Sequence, residues 1–220
     1  MKIGVIGIGE MGGALARKCS EQGHDVSVAN SRGAEAVLAF AADIGARATD
    51  IRGAVDGAEV VLLAIPFPAA AKLPTDLFDR AADDVVIIDV SNYFPGIRDP
   101  HLVEIDVGMP ESIWVSRQLG RPIFKAFNSL LFYTLAELGT PEGTQGRLAI
   151  PVAGDDARGK QIVMRLITEF GFDPVDGGSL AQSWRQGPAY ACLLLRLRCR
   201  QDPPCPCCGS PGQSAENPRQ

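Results

Sequence analysis

The sequence predicts an α/β fold: a Rossmann-like, doubly wound, mostly parallel sheet of about eight strands in a single domain, followed by a disordered or aberrant C-terminal tail. Three observations predict it. Short apolar runs alternate with helical patterns along most of the chain. The runs at 59–65 and 85–90 are continuously apolar, as in strands covered on both faces. The chain also opens with a strand pattern, a Gly-x-Gly-x-x-Gly turn and a helical pattern, in that order. Short turns between these segments imply right-handed crossovers.

The opening turn is the strongest local signal. Ile3-Gly4-Val5-Ile6 leads into Gly7-Ile8-Gly9-Glu10-Met11-Gly12. Gly7 allows a sharp turn, Gly9 keeps a Cβ away from a pyrophosphate, and Gly12 lets the new helix approach its strand. A tight strand–helix turn without ligand is the alternative. Met11, Ala14, Leu15 and Cys19 repeat at helical spacing, and Gly23 ends that helix. Cys19 falls on its buried face as a small apolar side chain. Val26-Ser27-Val28-Ala29 forms the second strand. Its tip reads Asn30-Ser31-Arg32, with no carboxylate to accept from ribose hydroxyls. A hydroxyl and a guanidinium there suit a 2′-phosphate, which points to NADP rather than NAD. Ser31 also fits as a helix cap and Arg32 as a solvated charge.

The remaining elements follow the same alternation. Residues 34–44 read as an alanine-rich helix, 46–48 as a short third strand, and 51–55 as a helix. The apolar run at 59–65 stops at Pro66 and Pro68, and the run at 85–90 gives way to a loop at 91–96. Residues 112–119 read as a helix, 123–127 as a sixth strand, and 128–138 as a helix ended by Gly139. A strand at 148–153 precedes a helix capped by Asp155-Asp156, with Ile162, Val163, Leu166, Ile167 and Phe170 on its apolar face. A last strand occupies 172–176. No internal repeat is present, and the segment at 97–108 shows no clear pattern.

Composition excludes several classes. The 220 residues are 46% hydrophobic and 21% charged, with a formal net charge of −5. No basic stripe suggests a nucleic-acid surface. No leader peptide is read in the first residues, and no apolar segment is long enough for a membrane helix, so a cytoplasmic protein is expected. Four of the six cysteines, Cys199, Cys205, Cys207 and Cys208, fall in one Pro- and Gly-rich stretch.

Taken with Lys125-Ala126-Phe127-Asn128 and the 174–180 stretch before Trp184, the Gly7–Gly12 and Asn30-Ser31-Arg32 motifs resemble the NADPH-dependent reductases of coenzyme F-420, an 8-hydroxy-5-deazaflavin. The pattern is also similar to the reductase domain of six-transmembrane metalloreductases. The resemblance covers about residues 1–190. It implies a homodimer in which NADP(H) crosses the strand ends and a deazaflavin or flavin stacks on the nicotinamide. Gly7, Ile8, Gly9, Glu10, Met11 and Gly12 would then hold the pyrophosphate, and Ser31 and Arg32 the 2′-phosphate. Ile65, Pro66 and Phe67 would form the wall beside the ribose and nicotinamide, with Asn128 near the reacting rings. Ligands of doubly wound sheets lie outside the carboxyl ends of the strands. Ile65-Pro66-Phe67, Ser91-Asn92 and Phe127-Asn128 are such ends, and an Asn amide both donates to and accepts from a carboxamide.

Ring-to-ring hydride transfer needs geometry and dryness more than acid–base side chains. No catalytic residue or metal ligand is therefore assigned, and His24 and His101 are not taken as acid or base. Two other readings stay open: an imine or 2-hydroxy-acid reductase, which usually carries a longer helical domain, and a NADP-binding sensor or scaffold without catalysis. The expected boundary divides a reductase domain, 1–190, from an irregular Pro/Cys/Gly-rich tail, 191–220. The tail departs from the family pattern and reads as a frameshifted or altered end. Zinc on Cys205-x-x-Cys208 is the alternative.

Overall fold

The computed structural model describes residues 1–187. The sequence boundary at 190 and the whole Cys-rich tail lie outside the described residues. Among the described residues eight strands form, in two hydrogen-bonded groups. The first is a six-stranded parallel sheet in the order β3-β2-β1-β4-β5-β6. Its strands are β1 (Lys2–Ile6), β2 (Asp25–Ala29), β3 (Arg47–Ala48), β4 (Val60–Leu63), β5 (Val86–Asp89) and β6 (Phe124–Lys125). The second is a parallel pair, β7 (Ala149–Val152) and β8 (Asp173–Asp176). The groups meet at one antiparallel bridge, where Lys125 N–H donates to the Ala153 carbonyl (2.8 Å) and Ala153 N–H returns to Lys125 (3.0 Å).

Apolar alternation in the central strands fills both faces of the sheet, because successive side chains point to opposite sides. Ile3, Val5, Val60, Leu62, Val86 and Ile88 enter one core with α1 (Glu10–Glu21), α2 (Leu38–Ile44) and Leu135. Ile6, Val61, Leu63 and Ile87 enter the other, with α3 (Ile51–Val55) and residues 114–119. α3 packs so closely on β1 that a Cβ on Gly4 would lie 1.8 Å from the Ala54 carbonyl oxygen. The Cys19 thiol is fully buried. Burial, and then the charge of Glu169, push its pKa up to about 12.

Several boundaries differ from the sequence expectation. The helix expected over 34–44 is a 3₁₀ turn, Ala34–Val37, followed by α2. Ser31 does not cap it: Gly33 occupies the cap position, and no side chain caps the turn. The patternless middle segment contains a one-turn helix, α4 (Val103–Asp106), before α5 (Glu111–Leu119). The sixth strand is cut short because Phe127 has φ +63°, a left-handed conformation that ends an extended run. The following helix, α6 (Phe132–Glu137), starts four residues later than the pattern suggested, because Leu130 N–H closes a turn onto the Phe127 carbonyl and Leu131 is extended. Asp156 caps α7 (Ala157–Glu169) as expected, its Oδ2 accepting from Gly159 N–H (2.5 Å).

Candidate functional site

The carboxyl ends of β1, β4, β5 and β6 surround a cavity of about 340 Å³, within the range of small-molecule pockets. Its floor is the opening turn. Gly7 has φ +94° and approaches β4 so closely that a Cβ would sit 2.3 Å from the Ala64 carbonyl oxygen. Gly12 has no room either, since a Cβ there would meet the Gly7 carbonyl oxygen at 1.8 Å. Gly9 is different: nothing lies within 4 Å of its notional Cβ. The first turn of α1 carries no side-chain cap. Its leading N–H groups have no intrahelical partners, and the helix dipole adds partial positive charge.

The walls come from three later strand ends. Ala64, Ile65 and Pro66 follow β4, Val90, Ser91 and Asn92 follow β5, and Asn128 and Leu130 follow β6. The two asparagines are locked together. Asn92 Nδ2 donates to the Asn128 carbonyl (2.8 Å), and Asn128 Nδ2 donates to Asn92 Oδ1 (3.0 Å) and to the Gln186 carbonyl (2.8 Å). The last bond ties the 3₁₀ segment Leu180–Gln186 to the cavity wall. Ser91 Oγ and Asn128 Oδ1 are buried and have no hydrogen-bond partner among the described residues. A buried, unsatisfied donor–acceptor pair in a cavity wall is costly unless a ligand completes it.

Nine of the residues expected from sequence line this cavity: Gly9, Glu10, Met11, Gly12, Ile65, Pro66, Ser91, Asn92 and Asn128. Gly7 shapes the turn beneath it, and Ile8 packs against the first core. Asn30, Ser31 and Arg32 stand outside the cavity, beyond the tip of β2. There Asn30 Oδ1 accepts from Arg32 N–H (2.8 Å), while Ser31 and Arg32 are exposed. Phe67 is the correction. Its ring is fully buried in the second core, 5.0 Å from the Trp114 ring and 5.1 Å from Tyr93. An aromatic side chain gains more from that packing than from a solvent-facing wall, so it lines no part of the cavity.

Three contributors were missed. Arg98 lines the mouth of the cavity, stacks over Phe94 at 5.0 Å and donates to the Asn92 carbonyl. Lys125 and Asp89 lie beneath the wall, almost wholly buried, with Nζ 2.7 Å from Oδ2. Each residue taken singly carried a signal, a lysine inside the apolar run 123–127 and an aspartate near the end of another at 85–90, but nothing local paired them. Charges in buried strands need partners. No group of residues suited to a metal occurs among the described residues.

Comparisons with known proteins agree with this geometry. Residues 2–93 match the family model described as NADP oxidoreductase, coenzyme F420-dependent. That span covers β1 to β5 and the opening of the cavity wall. The protein YjhV of Escherichia coli strain K12 is 53% identical over 55 residues, which is 24% of this chain and 40% of that protein. A hypothetical protein from Sinorhizobium meliloti superposes with a TM-score of 0.74 at 29% identity, covering 90% of this chain and 95% of its own. A candidate F420-dependent NADP reductase from Arthrobacter sp. FB24 gives 0.66 at 21% identity, over 83% of this chain and 87% of that one. The reductive aminase of Aspergillus terreus, bound to NADPH and ethyl levulinate, gives 0.57 at 17% identity, over 83% of this chain and 56% of that one. At these last two identities the likeness establishes the Rossmann-like fold.

Proposed function

We propose that this chain is an NADP-dependent oxidoreductase that exchanges a hydride between NADP(H) and a planar acceptor of the deazaflavin or flavin type, coenzyme F-420 in the first instance. The observation that carries the reading is Gly9. It is a glycine that the protein's own packing does not require, set beside uncapped helix N–H groups. That vacancy fits a pyrophosphate brought against bare backbone. The family match over 2–93 and the NADPH-bound structural neighbour support the same cofactor.

In this arrangement Gly9, Glu10 and Met11 bind phosphate through backbone donors, and Gly12 sets the helix close enough to do so. Arg32, held beside Asn30, offers a guanidinium to a 2′-phosphate. Ile65 and Pro66 exclude water from one side. Ser91 Oγ can donate to a carboxamide oxygen, and Asn128 Oδ1 can accept from its NH₂. Ile65, Pro66, Ser91 and Asn128 would hold the nicotinamide end of NADP(H), which when bound would supply the hydride. The proton that the reduced acceptor takes up beside the hydride would come from solvent, so no acid–base side chain is assigned. The exposed apolar residues Ile97 (87%), Val103 (74%) and Val107 (72%) support the homodimer as part of this reading. No helix among the described residues is long and apolar enough to cross a membrane.

Calorimetric titration with NADPH and NADH tests the cofactor. The full chain should prefer NADPH, and Arg32→Ala should erase about tenfold of that preference, or ~1.4 kcal/mol. An unchanged ratio in the variant would remove the basis for NADP. Mixing the chain with NADPH and oxidised F-420, then with FMN, tests the acceptor. Loss of the oxidised deazaflavin absorbance is expected. Tight NADPH binding without any turnover would favour the sensor reading.

A further inference from the structure

The cavity wall at β5 rests on a buried ion pair that hydride transfer itself does not use. Asp89 and Lys125 close adjacent parallel strands and pair directly across the sheet. Their side chains are 1% and 2% exposed. Apolar residues could fill such a place at lower cost, because desolvating two charges offsets most of their attraction. The pair makes two further bonds, both to one residue. Asp89 Oδ1 accepts from Ser91 N–H (3.0 Å), and Lys125 Nζ donates to the Ser91 carbonyl. Ser91 is thus held through both of its backbone polar groups, within the cavity wall.

We infer that Lys125, with Asp89, is a positioning residue that sets Ser91 and the adjoining Asn92–Asn128 lock for the nicotinamide half of the cofactor. The inference rests on the cofactor reading above. Topology gives the direction. The adenylate half belongs to the β2 side of the β1/β4 switch point, near Asn30 and Arg32, and the nicotinamide half to the β4–β5 side. Ser91 follows β5, so a lapse in its backbone is felt by one half of the ligand only. Lys125 touches neither half and acts through Ser91, as outer-shell groups orient the residues that contact a ligand.

The test is a split between ligands. NADPH and 2′,5′-ADP, which lacks the nicotinamide half, are titrated by calorimetry against the full chain, Lys125→Met, and the double variant D89N/K125M. The double variant removes both charges, so it leaves no lone buried carboxylate if Lys125→Met alone fails to fold. Both variants should bind 2′,5′-ADP within about twofold of the parent and NADPH about tenfold more weakly. A purely structural role would weaken both ligands alike or neither, and either result overturns the proposal. A parent chain that does not bind NADPH overturns the cofactor reading itself.

Discussion

Two glycines in one turn answer to different forces, and substitution separates them. Gly12 is demanded by the fold: the Gly7 carbonyl oxygen would lie 1.8 Å from its Cβ. Gly12→Ala should therefore shift α1 off β1 and cost roughly 1–3 kcal/mol as overpacking does, read as a drop in urea midpoint. Gly9 is demanded only by a ligand, since its backbone, φ −67° and ψ −167°, suits any residue and its Cβ meets nothing. Gly9→Ala should melt with the parent yet bind NADPH about tenfold more weakly, or ~1.4 kcal/mol. Equal affinity would mean that the turn is structural. Asp99 offers a pH test at the same scale. Burial raises its carboxyl, but the Arg98 hydrogen bonds and the Phe94 N–H outweigh that, leaving it below the ordinary 3.8. A depressed folded-state value contributes stability above pH 3.8 that is lost as pH falls through the lower folded value. Asp99→Asn should lower stability near neutral pH by roughly 1–3 kcal/mol. The gap to the parent should close in denaturation series run below pH 3.8.

Among the elements, the loop after β5 shows what the sequence could and could not disclose. The strand-end rule placed Ser91, Asn92 and Asn128 at the cavity, because a continuous apolar run broken by polar residues marks a carboxyl end locally. The Asp89–Lys125 pair needs knowledge that residues 36 apart lie on neighbouring strands, which no local pattern carries. The start of α6 was misplaced for a similar reason. The pattern after Asn128 suits a helix, but a turn closed by Leu130 N–H on the Phe127 carbonyl and an extended Leu131 come first. Phe67 was misjudged because its backbone does follow the Ile65-Pro66 wall, while its side chain turns beneath it. Its ring, wedged between Tyr93 and Trp114, predicts a clean dissociation of stability from binding. Phe67→Ala should cost roughly 3–5 kcal/mol in urea denaturation. NADPH affinity, measured where the variant is still folded, should change less than threefold, since no ring atom contacts the cavity. A tenfold loss would restore Phe67 to the wall.

At the scale of the whole molecule, the described residues after β6 are tied back onto the main sheet and its cavity. β7 and β8 join the main sheet through the two hydrogen bonds between Lys125 and Ala153. Phe124 fills the space left by two glycines, and a Cβ at Gly154 or Gly159 would lie 2.2 or 2.3 Å from its ring. The chain then returns through Leu180–Gln186 to the cavity, where Asn128 Nδ2 grips the Gln186 carbonyl and Leu180 enters the second core. Among the described residues, the cavity wall reaches as far along the chain as Gln186. We expect a chain ending at Tyr190 to be a sufficient NADP-binding unit. It should unfold in a single transition and bind NADPH within about threefold of the full chain, a change below ~0.7 kcal/mol. The acceptor reaction makes the sharper comparison in the same pair of proteins. Retained NADPH binding with lost F-420 reduction would assign the Cys-rich segment to the second substrate. Retention of both would confine the reductase to 1–190, whereas a large loss of NADPH affinity would refute the boundary, because the wall would then depend on residues beyond it.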